Sequence, residues 1–470
     1  MLRVRARLAL VLAVGVAAAL LGGPVAAVRA STPATMAVPA HAAPPISSGR
    51  VSADSGAAPL PAAAVLIRFD SSGAQQTRIA RGTRNAHRAA AAANAPSATL
   101  PFAPGAPVTA DDPVRVASLS KLVVALGVMR LVERRQVDLD ADVSRYLGWV
   151  LRNPRQPNRP ITLAMLLGHR AGLVDGVDYA LPLDADLEQV LRQPAAWAAG
   201  AGPNRRGARA DFRYANINYP IIAAAMEGAT GERFDRLMAR LVFQPLRLDA
   251  CFNWVGCSDG AVARAITLYR PDGSVAKDDL AGQRPACPVV PAADGGCDLA
   301  RYRLARNGAA FSPQGGLRIS MRGLARIGEM LLRDGDHFLT RQSVARLMQT
   351  QPVMLPVQPA DSPTPGEGGE GVFFCRYGLG VQQLATLRAG CRDDPFGDGR
   401  PRIGHAGDAY SLRLGLWLDR QNGTGVAYFL TQSPEFGAPP GRYSAFTAAE
   451  EALLADGGFA PAPAPAARAR

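Results

Sequence analysis

The segment that most constrains the fold of this chain runs from Arg115 through Ser118 and Lys121 into an uninterrupted apolar stretch, residues 122–129. The pattern predicts a loop that ends in a buried helix, with Ser118 at the start of the helix and Lys121 one turn later. Residues three apart on a helix share a face, so the hydroxyl and the amine can touch. The chain must therefore build a core around a helix that carries a serine and a lysine in its first turn.

This pair of side chains suits nucleophilic catalysis. A hydroxyl is a weak nucleophile until a neighbouring base takes its proton, and Ser-x-x-Lys occurs among catalytic motifs. Free N–H groups at a helix N-terminus also favour an oxyanion. Buried lysine can lose its proton whereas arginine cannot, and Lys121 and Lys277 are the only lysines in this arginine-rich chain. We therefore predict a nucleophile at Ser118 with Lys121 beside it.

A second copy of the spacing shows that the pattern alone is weak. Ser274 and Lys277 are also three residues apart. They follow a Pro271-Asp272-Gly273 turn signal, and no apolar run comes after them. The context predicts a surface loop for this copy, so the buried helix after Lys121 is what distinguishes the first.

The N-terminus predicts export. Arginines at positions 3, 5 and 7 precede an apolar stretch, residues 8–21, and small residues follow, among them Val25-Ala26-Ala27. This order is typical of a secretory signal peptide over residues 1–30, with an uncleaved membrane anchor as the alternative. We expect a periplasmic or secreted protein, without a lipid anchor because no cysteine lies near the cleavage region.

Composition and hydrophobic periodicity divide the rest of the chain. Residues 31–60 are rich in alanine and proline and predict a disordered linker, and residues 458–470 predict a disordered tail. Between them, residues 61–457 predict one domain, with strand patterns at both ends and a mostly helical part at about 136–310. This order indicates an α/β fold. Residues 315–320 predict a turn before a helix, and residues 251–307 predict an irregular insert.

Charge and cysteine content narrow the function classes. The net charge of +13 comes mostly from dispersed arginines, with no basic run interleaved with aromatics, so we predict no nucleic-acid partner. The positive charge favours contact with anionic surfaces of the cell envelope. The six cysteines lack paired C-x-x-C spacing and nearby histidines, so we predict disulfides rather than a metal site. Sequential pairing would close three short loops: Cys251/Cys257, Cys287/Cys297 and Cys375/Cys391.

Three motifs stand in order along the chain: Ser118-x-x-Lys121, Tyr214-x-Asn216 and His405-x-Gly407. With them the chain resembles the serine β-lactamase and penicillin-binding-protein superfamily, in the branch that holds class C β-lactamases, D-alanyl-D-alanine carboxypeptidases and related esterases. The resemblance covers most of the chain, from residue 61 to residue 459. It implies a β-lactamase/transpeptidase-like α/β fold, in which an antiparallel sheet is flanked by helices and carries an inserted, mostly helical subdomain.

The resemblance also implies roles for the motif residues. Ser118 would form an acyl-enzyme, and Lys121 would act as the base or hold the network electropositive. Tyr214 would relay a proton to the leaving group if neighbouring cations lower the pKa of its phenol. Asn216 would orient the substrate, and Gly407 would let the substrate approach the strand backbone closely. The backbone N–H groups of Ser118 and Asp408 would bind the oxyanion.

Two features depart from the class C pattern. His405 stands where class C β-lactamases have the lysine of a K-T-G motif, and a histidine there suits carboxypeptidase-like or esterase-like members better. Asp408-Ala409-Tyr410 follows where many relatives have glycines, which alters the expected substrate pocket. His169, near the end of another predicted helix, is interpreted as structural.

Together these features predict an exported serine hydrolase that needs no metal or cofactor. Its substrate would be a β-lactam, a D-Ala-D-Ala-type peptide derived from peptidoglycan, or a small ester. The alternative is a non-catalytic penicillin sensor or envelope-binding protein on the same fold. The complete Ser/Lys/Tyr/His series favours the enzyme.

Overall fold

The computed structural model describes residues 63–85, 105–198, 212–270, 273–276, 279–353, 373–432 and 438–459. The predicted signal peptide and linker lie outside these ranges, as do the end of the predicted C-terminal tail and Lys277 of the second Ser-x-x-Lys copy. No helix within the described ranges is both long and apolar enough to cross a membrane.

The strands form one large and one small antiparallel sheet. In chain order they are β1 Ala63–Asp70, β2 Gln75–Gly82, β3 Val114–Arg115, β4 Cys251–Phe252, β5 Leu317–Ile319, β6 Gln351–Pro352, β7 Arg376–Tyr377, β8 Gln382–Leu384, β9 Arg402–Ala409, β10 Leu412–Asp419 and β11 Thr424–Leu430. The large sheet has eight strands in the order β2-β1-β11-β10-β9-β8-β7-β6, and the small one has the order β3-β5-β4. Because β1 pairs with β11, the two ends of the domain lie side by side.

Helices cover the sheet and build the central part of the chain. They are α1 Ser120–Glu133, α2 Ser144–Leu147, α3 Leu163–Leu167, α4 Leu187–Leu191, α5 Asn218–Thr230, α6 Phe234–Met238, α7 Asp259–Arg264, α8 Met321–Leu332, α9 Arg341–Met348 and α10 Ala448–Asp456. Several begin at a side-chain cap: the Thr162, Ser320 and Thr447 hydroxyls accept bonds from backbone N–H groups in the first turns of α3, α8 and α10.

Alternating side chains of the central strands fill a hydrophobic layer on each face of the large sheet. On β1, Val65, Ile67 and Phe69 belong to the main core, whereas Ala64 and Leu66 belong to a smaller cluster on the opposite face. Period-two alternation of this kind places successive residues on opposite faces. Both faces are apolar because helices cover both, which explains why β1 is a nearly continuous run of buried residues.

Helix α8 lies directly against the main-core face. A Cβ on Gly328 would stand 2.3 Å from Cζ of Phe69, so only a glycine allows this close approach of helix to strand. The other face is covered by α10, whose Leu453 and Leu454 pack in one cluster with Trp417. The sheet is therefore a middle layer between helices, as the sequence predicted, and the predicted fold class is confirmed.

The insert at residues 251–307 has little regular structure and is fastened by two of the three disulfides and by one buried acid. The three bridges join Cys251 to Cys257, Cys287 to Cys297 and Cys375 to Cys391, which is the sequential pairing. Glu227, on α5, is fully buried and accepts hydrogen bonds from the Phe234 N–H, the Ala305 N–H and the Tyr302 hydroxyl at 2.8–2.9 Å. This carboxylate ties the end of the insert to the helical part.

One local prediction is wrong. Residues 315–320 were expected to form only a turn, but Leu317–Ile319 is the strand β5, paired with β3 on one side and β4 on the other. Its partners lie far away along the chain, so the local glycines carried the turn signal while the long-range pairing determined the structure.

Candidate active site

The backbone around Ser118 is held in a strained, well-anchored turn. Ser118 lies in a 3₁₀ turn, Ala117–Leu119, which leads into α1. Ala117 has φ of +42°, in the left-handed region that residues with a Cβ rarely occupy. The segment is fixed on β5: the Val116 N–H donates to the Leu317 carbonyl at 2.9 Å, and the Leu317 N–H donates to the Ser120 hydroxyl at 3.1 Å. Strain of this kind persists where the surroundings over-determine the conformation, as at functional sites.

Lys121 joins the motif residues into one hydrogen-bonded cluster. Its Nζ donates to Ser118 Oγ at 2.9 Å, to Asn216 Oδ1 at 2.8 Å and to the Gln314 carbonyl at 3.0 Å. These three acceptors match the three N–H donors of an ammonium group. The first two contacts bring together Ser118, Lys121 and Asn216, which the sequence placed in two separate motifs.

Burial brings the pKa of the Lys121 amine close to neutral pH. The side chain is fully buried, and burial lowers the pKa of Lys121 from 10.5 to about 7, opposed only in part by the charge of Asp175. A pKa near the working pH is what general-base catalysis needs. At neutral pH a substantial fraction of Lys121 is therefore uncharged and able to take the proton of Ser118.

Asp175 orients Asn216 and was not singled out by the sequence. Its carboxylate accepts hydrogen bonds from the backbone N–H and the side-chain amide of Asn216, at 2.8 and 2.9 Å, and from the Ile217 N–H at 3.0 Å. Because Asp175 Oδ2 takes the amide NH₂, the amide oxygen of Asn216 must face Lys121. The only local signal was an acidic residue beside a glycine, which also describes an ordinary turn.

Tyr214 lies in a stack of aromatic rings beside Lys121. Its ring is parallel to Phe374 at 4.7 Å between centroids and stacks on His169 at 4.3 Å. Lys121 Nζ lies 4.8 Å from the centre of the Tyr214 ring. A cation at that distance interacts with the π face of the phenol. The structure therefore places Tyr214 next to Lys121, and its proton-relay role stays a prediction.

His405 is buried at the far side of this cluster and is uncharged. Its Nδ1 donates to the Ala406 carbonyl at 2.5 Å, because a carbonyl can only accept, and its Nε2 then accepts from the Tyr377 hydroxyl at 2.8 Å. Burial, with a smaller contribution from the charge of Lys121, lowers the pKa of His405 from 6.5 to about 3. The resemblance implies that His405 stands at the lysine position of K-T-G, and an uncharged imidazole there supplies no positive charge. Lys121 is thus the cation nearest to Tyr214 among the described contacts.

Gly407 is required by the protein's own packing. A Cβ at this position would stand 2.7 Å from the Val116 carbonyl oxygen, two residues before Ser118. The segment that carries Ser118 thus packs against β9 at this glycine, and the close approach of substrate to the strand stays a prediction. Beyond it, Asp408 pairs with Arg413 across β9 and β10 and forms an ion pair with its side chain. The oxyanion role of the Asp408 N–H stays a prediction.

The cluster brings together the kinds of side chain that nucleophilic catalysis requires. It supplies a hydroxyl, an amine of lowered pKa in contact with it, a phenol and an oriented amide. Within the described ranges, no group of three or more His, Cys, Asp or Glu side chains is arranged to hold a metal ion. Sequence reasoning missed Asp175, Phe374 and Tyr377, which act on the motif residues through contacts between distant parts of the chain.

Comparison with known proteins agrees with this geometry. Residues 80–450 match the profile of the family described as Beta-lactamase. Esterase EstB from Burkholderia gladioli is 30% identical over 166 residues, which is 31% of this chain and 40% of the esterase. The chain therefore aligns with well under half of that relative's length.

Two solved structures share the fold at low sequence identity. A D-amino acid amidase from Ochrobactrum anthropi, in complex with L-phenylalanine, superposes with a TM-score of 0.53 at 16% identity, over 85% of this chain and 93% of the amidase. An octameric penicillin-binding protein homologue from Pyrococcus abyssi superposes with a TM-score of 0.54 at 18% identity, over 85% of this chain and 74% of the homologue. Fold and site together define a β-lactamase-like domain with a Ser-x-x-Lys pair in hydrogen-bond contact. The chain belongs to the Beta-lactamase family.

Proposed function

We propose that this protein hydrolyses small esters or amides through an acyl-enzyme on Ser118. The observation that carries the proposal is the 2.9 Å hydrogen bond between Ser118 Oγ and a fully buried Lys121 whose pKa is about 7. In this pair the uncharged amine takes the hydroxyl proton as Oγ attacks the substrate carbonyl. A protein that binds its ligand without covalent chemistry would need no such matched base.

The proposed cycle has two stages. First, the Ser118 oxygen bonds to the carbonyl carbon, and the oxyanion is held by the backbone N–H groups of Ser118 and Asp408. The proton taken by Lys121 passes, with Tyr214 as relay, to the leaving alcohol or amine as its bond to carbon breaks. Water then attacks the acyl group with Lys121 again as base, which releases the carboxylic acid and restores Ser118.

The proposed substrates are a small ester and an amide of a D-amino acid. The esterase and the D-amino acid amidase are the relatives whose names give these two reactions. The uncharged His405 and the ring stack of Tyr214 and Phe374 also make this side of the site apolar and aromatic rather than cationic. β-Lactams and D-Ala-D-Ala-type peptides are the competing substrate classes.

A substrate panel tests this assignment. Purified protein is assayed with p-nitrophenyl butyrate, with the D and L forms of phenylalanine amide, and with a fluorescent penicillin. We expect turnover of the ester, and of the D amide over the L amide, all lost in Ser118→Ala. Ser274→Ala is the matched control, since Ser274 is exposed in the second Ser-x-x-Lys copy. Turnover of penicillin alone would move the protein to the β-lactamases, and no turnover of any substrate would reject the proposal.

We also propose that the protein is exported. The basic and apolar N-terminal pattern supports this location. The three disulfides support it too, because disulfides form and persist in oxidising compartments. N-terminal sequencing of protein from a periplasmic or culture fraction should find a start beyond the small residues near position 30. Recovery of the full-length chain from the cytoplasmic fraction alone would contradict export.

A further inference from the structure

A second concave site lies at the opposite end of α1 from the nucleophile. It is a cavity of about 590 Å³ between α1, α8 and the segment after α6, and we name it the arginine cavity. Arg130, Arg247, Arg326 and Arg333 line it. Arg130 is nine residues along α1 from Lys121, which is about 14 Å at the rise of an α-helix. The cavity is thus distinct from the catalytic cluster.

Helix α8 is built to face this cavity with polar groups. Arg326, Glu329, Met330 and Arg333 are spaced at three, four and seven residues, so they share one face of the helix. Phe338, after the end of α8, adds an apolar wall. A cavity of this size, with an apolar wall and several converging polar groups, has the dimensions of a small-molecule site.

The positive charge in the arginine cavity is only partly neutralised by the protein. Arg333 Nε and Nη2 donate to Asp336 Oδ2 at 2.9 and 2.6 Å. Arg130 Nη1 donates to the Phe338 carbonyl at 2.5 Å and lies 3.8 Å from Glu133 Oε2. Arg326 Nη1 donates to the backbone carbonyl of Arg247 at 3.0 Å. Within the described chain, no carboxylate lies within ion-pair distance of Arg247 or Arg326. The cavity lining therefore includes two arginines whose charge is not paired with a described carboxylate.

One buried acid sets a second requirement on any ligand. Glu329 is only 6% exposed and lines the cavity, and its Oε1 is buried without a hydrogen-bond partner in the described structure. An unsatisfied buried carboxylate oxygen costs free energy until a donor reaches it. A simple anion would satisfy the arginines but repel Glu329. The ligand must therefore carry both an oxyanion and a hydrogen-bond donor.

We propose that the arginine cavity binds a phosphate ester of a polyol, such as a glycerol phosphate. The phosphate oxygens match the planar guanidinium forks of Arg247 and Arg326, which suit bidentate recognition. A hydroxyl of the polyol donates to the Glu329 carboxylate, and the carbon chain lies on Met330 and Phe338. The same chemistry is offered by a soluble glycerol phosphate and by the headgroup of phosphatidylglycerol, and the test distinguishes these sources.

Calorimetric titration of the whole chain tests the site directly. We expect saturable binding of glycerol 3-phosphate and none of glycerol. Arg247→Ala and Arg326→Ala, at exposed positions, should each weaken binding about tenfold or more, the typical loss for a charge-assisted hydrogen bond. Arg341→Ala is the matched control, because Arg341 is 84% exposed and lies outside the cavity. Ester hydrolysis should stay at the wild-type rate in all three variants.

Two further experiments distinguish the soluble ester from the lipid headgroup and test the hydroxyl group that donates to Glu329. Vesicles of phosphatidylcholine, with and without phosphatidylglycerol, are sedimented with the protein; arginine-dependent capture by the second kind alone assigns the lipid source. Glu329→Met should abolish the preference for glycerol 3-phosphate over methyl phosphate, an anion that carries no hydroxyl on carbon. The proposal is overturned if neither glycerol 3-phosphate nor the charged vesicles bind, or if Arg247→Ala and Arg326→Ala bind as the wild type does.

Discussion

The imidazole of His169 lies almost flat on the phenol of Tyr214, with ring centroids 4.3 Å apart and planes at 28°. His169 is 1% exposed, and its Nδ1 accepts a hydrogen bond from the Ala215 N–H at 3.1 Å and contacts the Asn218 amide at 3.2 Å. Burial lowers the pKa of His169 well below its ordinary value, so the ring is uncharged. The residue that the sequence marked as structural therefore holds the segment that presents Tyr214 and Asn216.

We predict that His169 is a positioning residue for Tyr214. His169→Leu removes the acceptor for the Ala215 N–H and the stacked ring, and kcat for ester hydrolysis should fall about a hundredfold, as for a misplacement of about 1 Å. KM should change little, because His169 does not reach substrate. His169→Asn retains an acceptor and should recover part of the loss. A proportionate rise in KM with unchanged kcat would instead assign His169 to substrate binding.

Lys121 gives the reaction a defined pH dependence. Its pKa of about 7 lies below the ordinary 10.5, so the active, uncharged amine accumulates as the pH rises through 7. The rate kcat/KM should rise to a plateau above that value. Lys121→Arg, which stays charged, should lose about 10²–10⁴-fold at every pH, the usual contribution of a general base. A wild-type rate that is flat between pH 6 and 8 would contradict Lys121 as the base.

Gly407 should tolerate no side chain. In Gly407→Ala the new Cβ would stand 2.7 Å from the Val116 carbonyl, so the turn that carries Ser118 must move. We expect a loss of kcat of about tenfold to a hundredfold with a native circular dichroism spectrum. Gly315→Ala is the control, since its Cβ would meet nothing closer than 3.7 Å, from Ala117. Equal activity in the two variants would show that the approach of β9 to Val116 is unimportant.

Glu227 should make the stability of the domain fall as the pH rises. Burial raises the pKa of Glu227 from 4.5 to about 7, so the folded state holds a proton that the unfolded state releases between these values. The resulting stability is present below pH 4.5 and lost as the pH rises through 7, by on the order of 3 kcal/mol. In Glu227→Gln this loss is absent. A difference in Tm between wild type and variant that does not change with pH would contradict the shift.

The local part of the site was predictable from the sequence, and its long-range part was not. The spacing of Ser118 and Lys121 determines their contact because Ser118 lies in the 3₁₀ turn that leads into α1 and Lys121 lies in the first turn of that buried helix. The strands β1, β10 and β11 were also predictable, since long apolar runs with turn signals between them leave few alternatives.

Asp175 and Tyr377 could not have been found in that way. Each acts on a motif residue far away along the chain, Asn216 or His405, and a single sequence carries no signal for such pairs. The packing of Gly407 against the Val116 carbonyl was also not predictable, because the two residues are far apart along the chain. The strand β5 was predicted as a turn for a similar reason. Its partners β3 and β4 come next to it only in the complete fold.

The most direct test of the central claim is intact-mass measurement after reaction with a fluorophosphonate probe, followed by peptide mapping. The account predicts that wild-type protein and Ser274→Ala each gain the mass of one probe, located on the peptide that contains Ser118, and that Ser118→Ala gains none. Labelling that persists in Ser118→Ala, or that maps to any other serine, would contradict the assignment of Ser118 as the nucleophile.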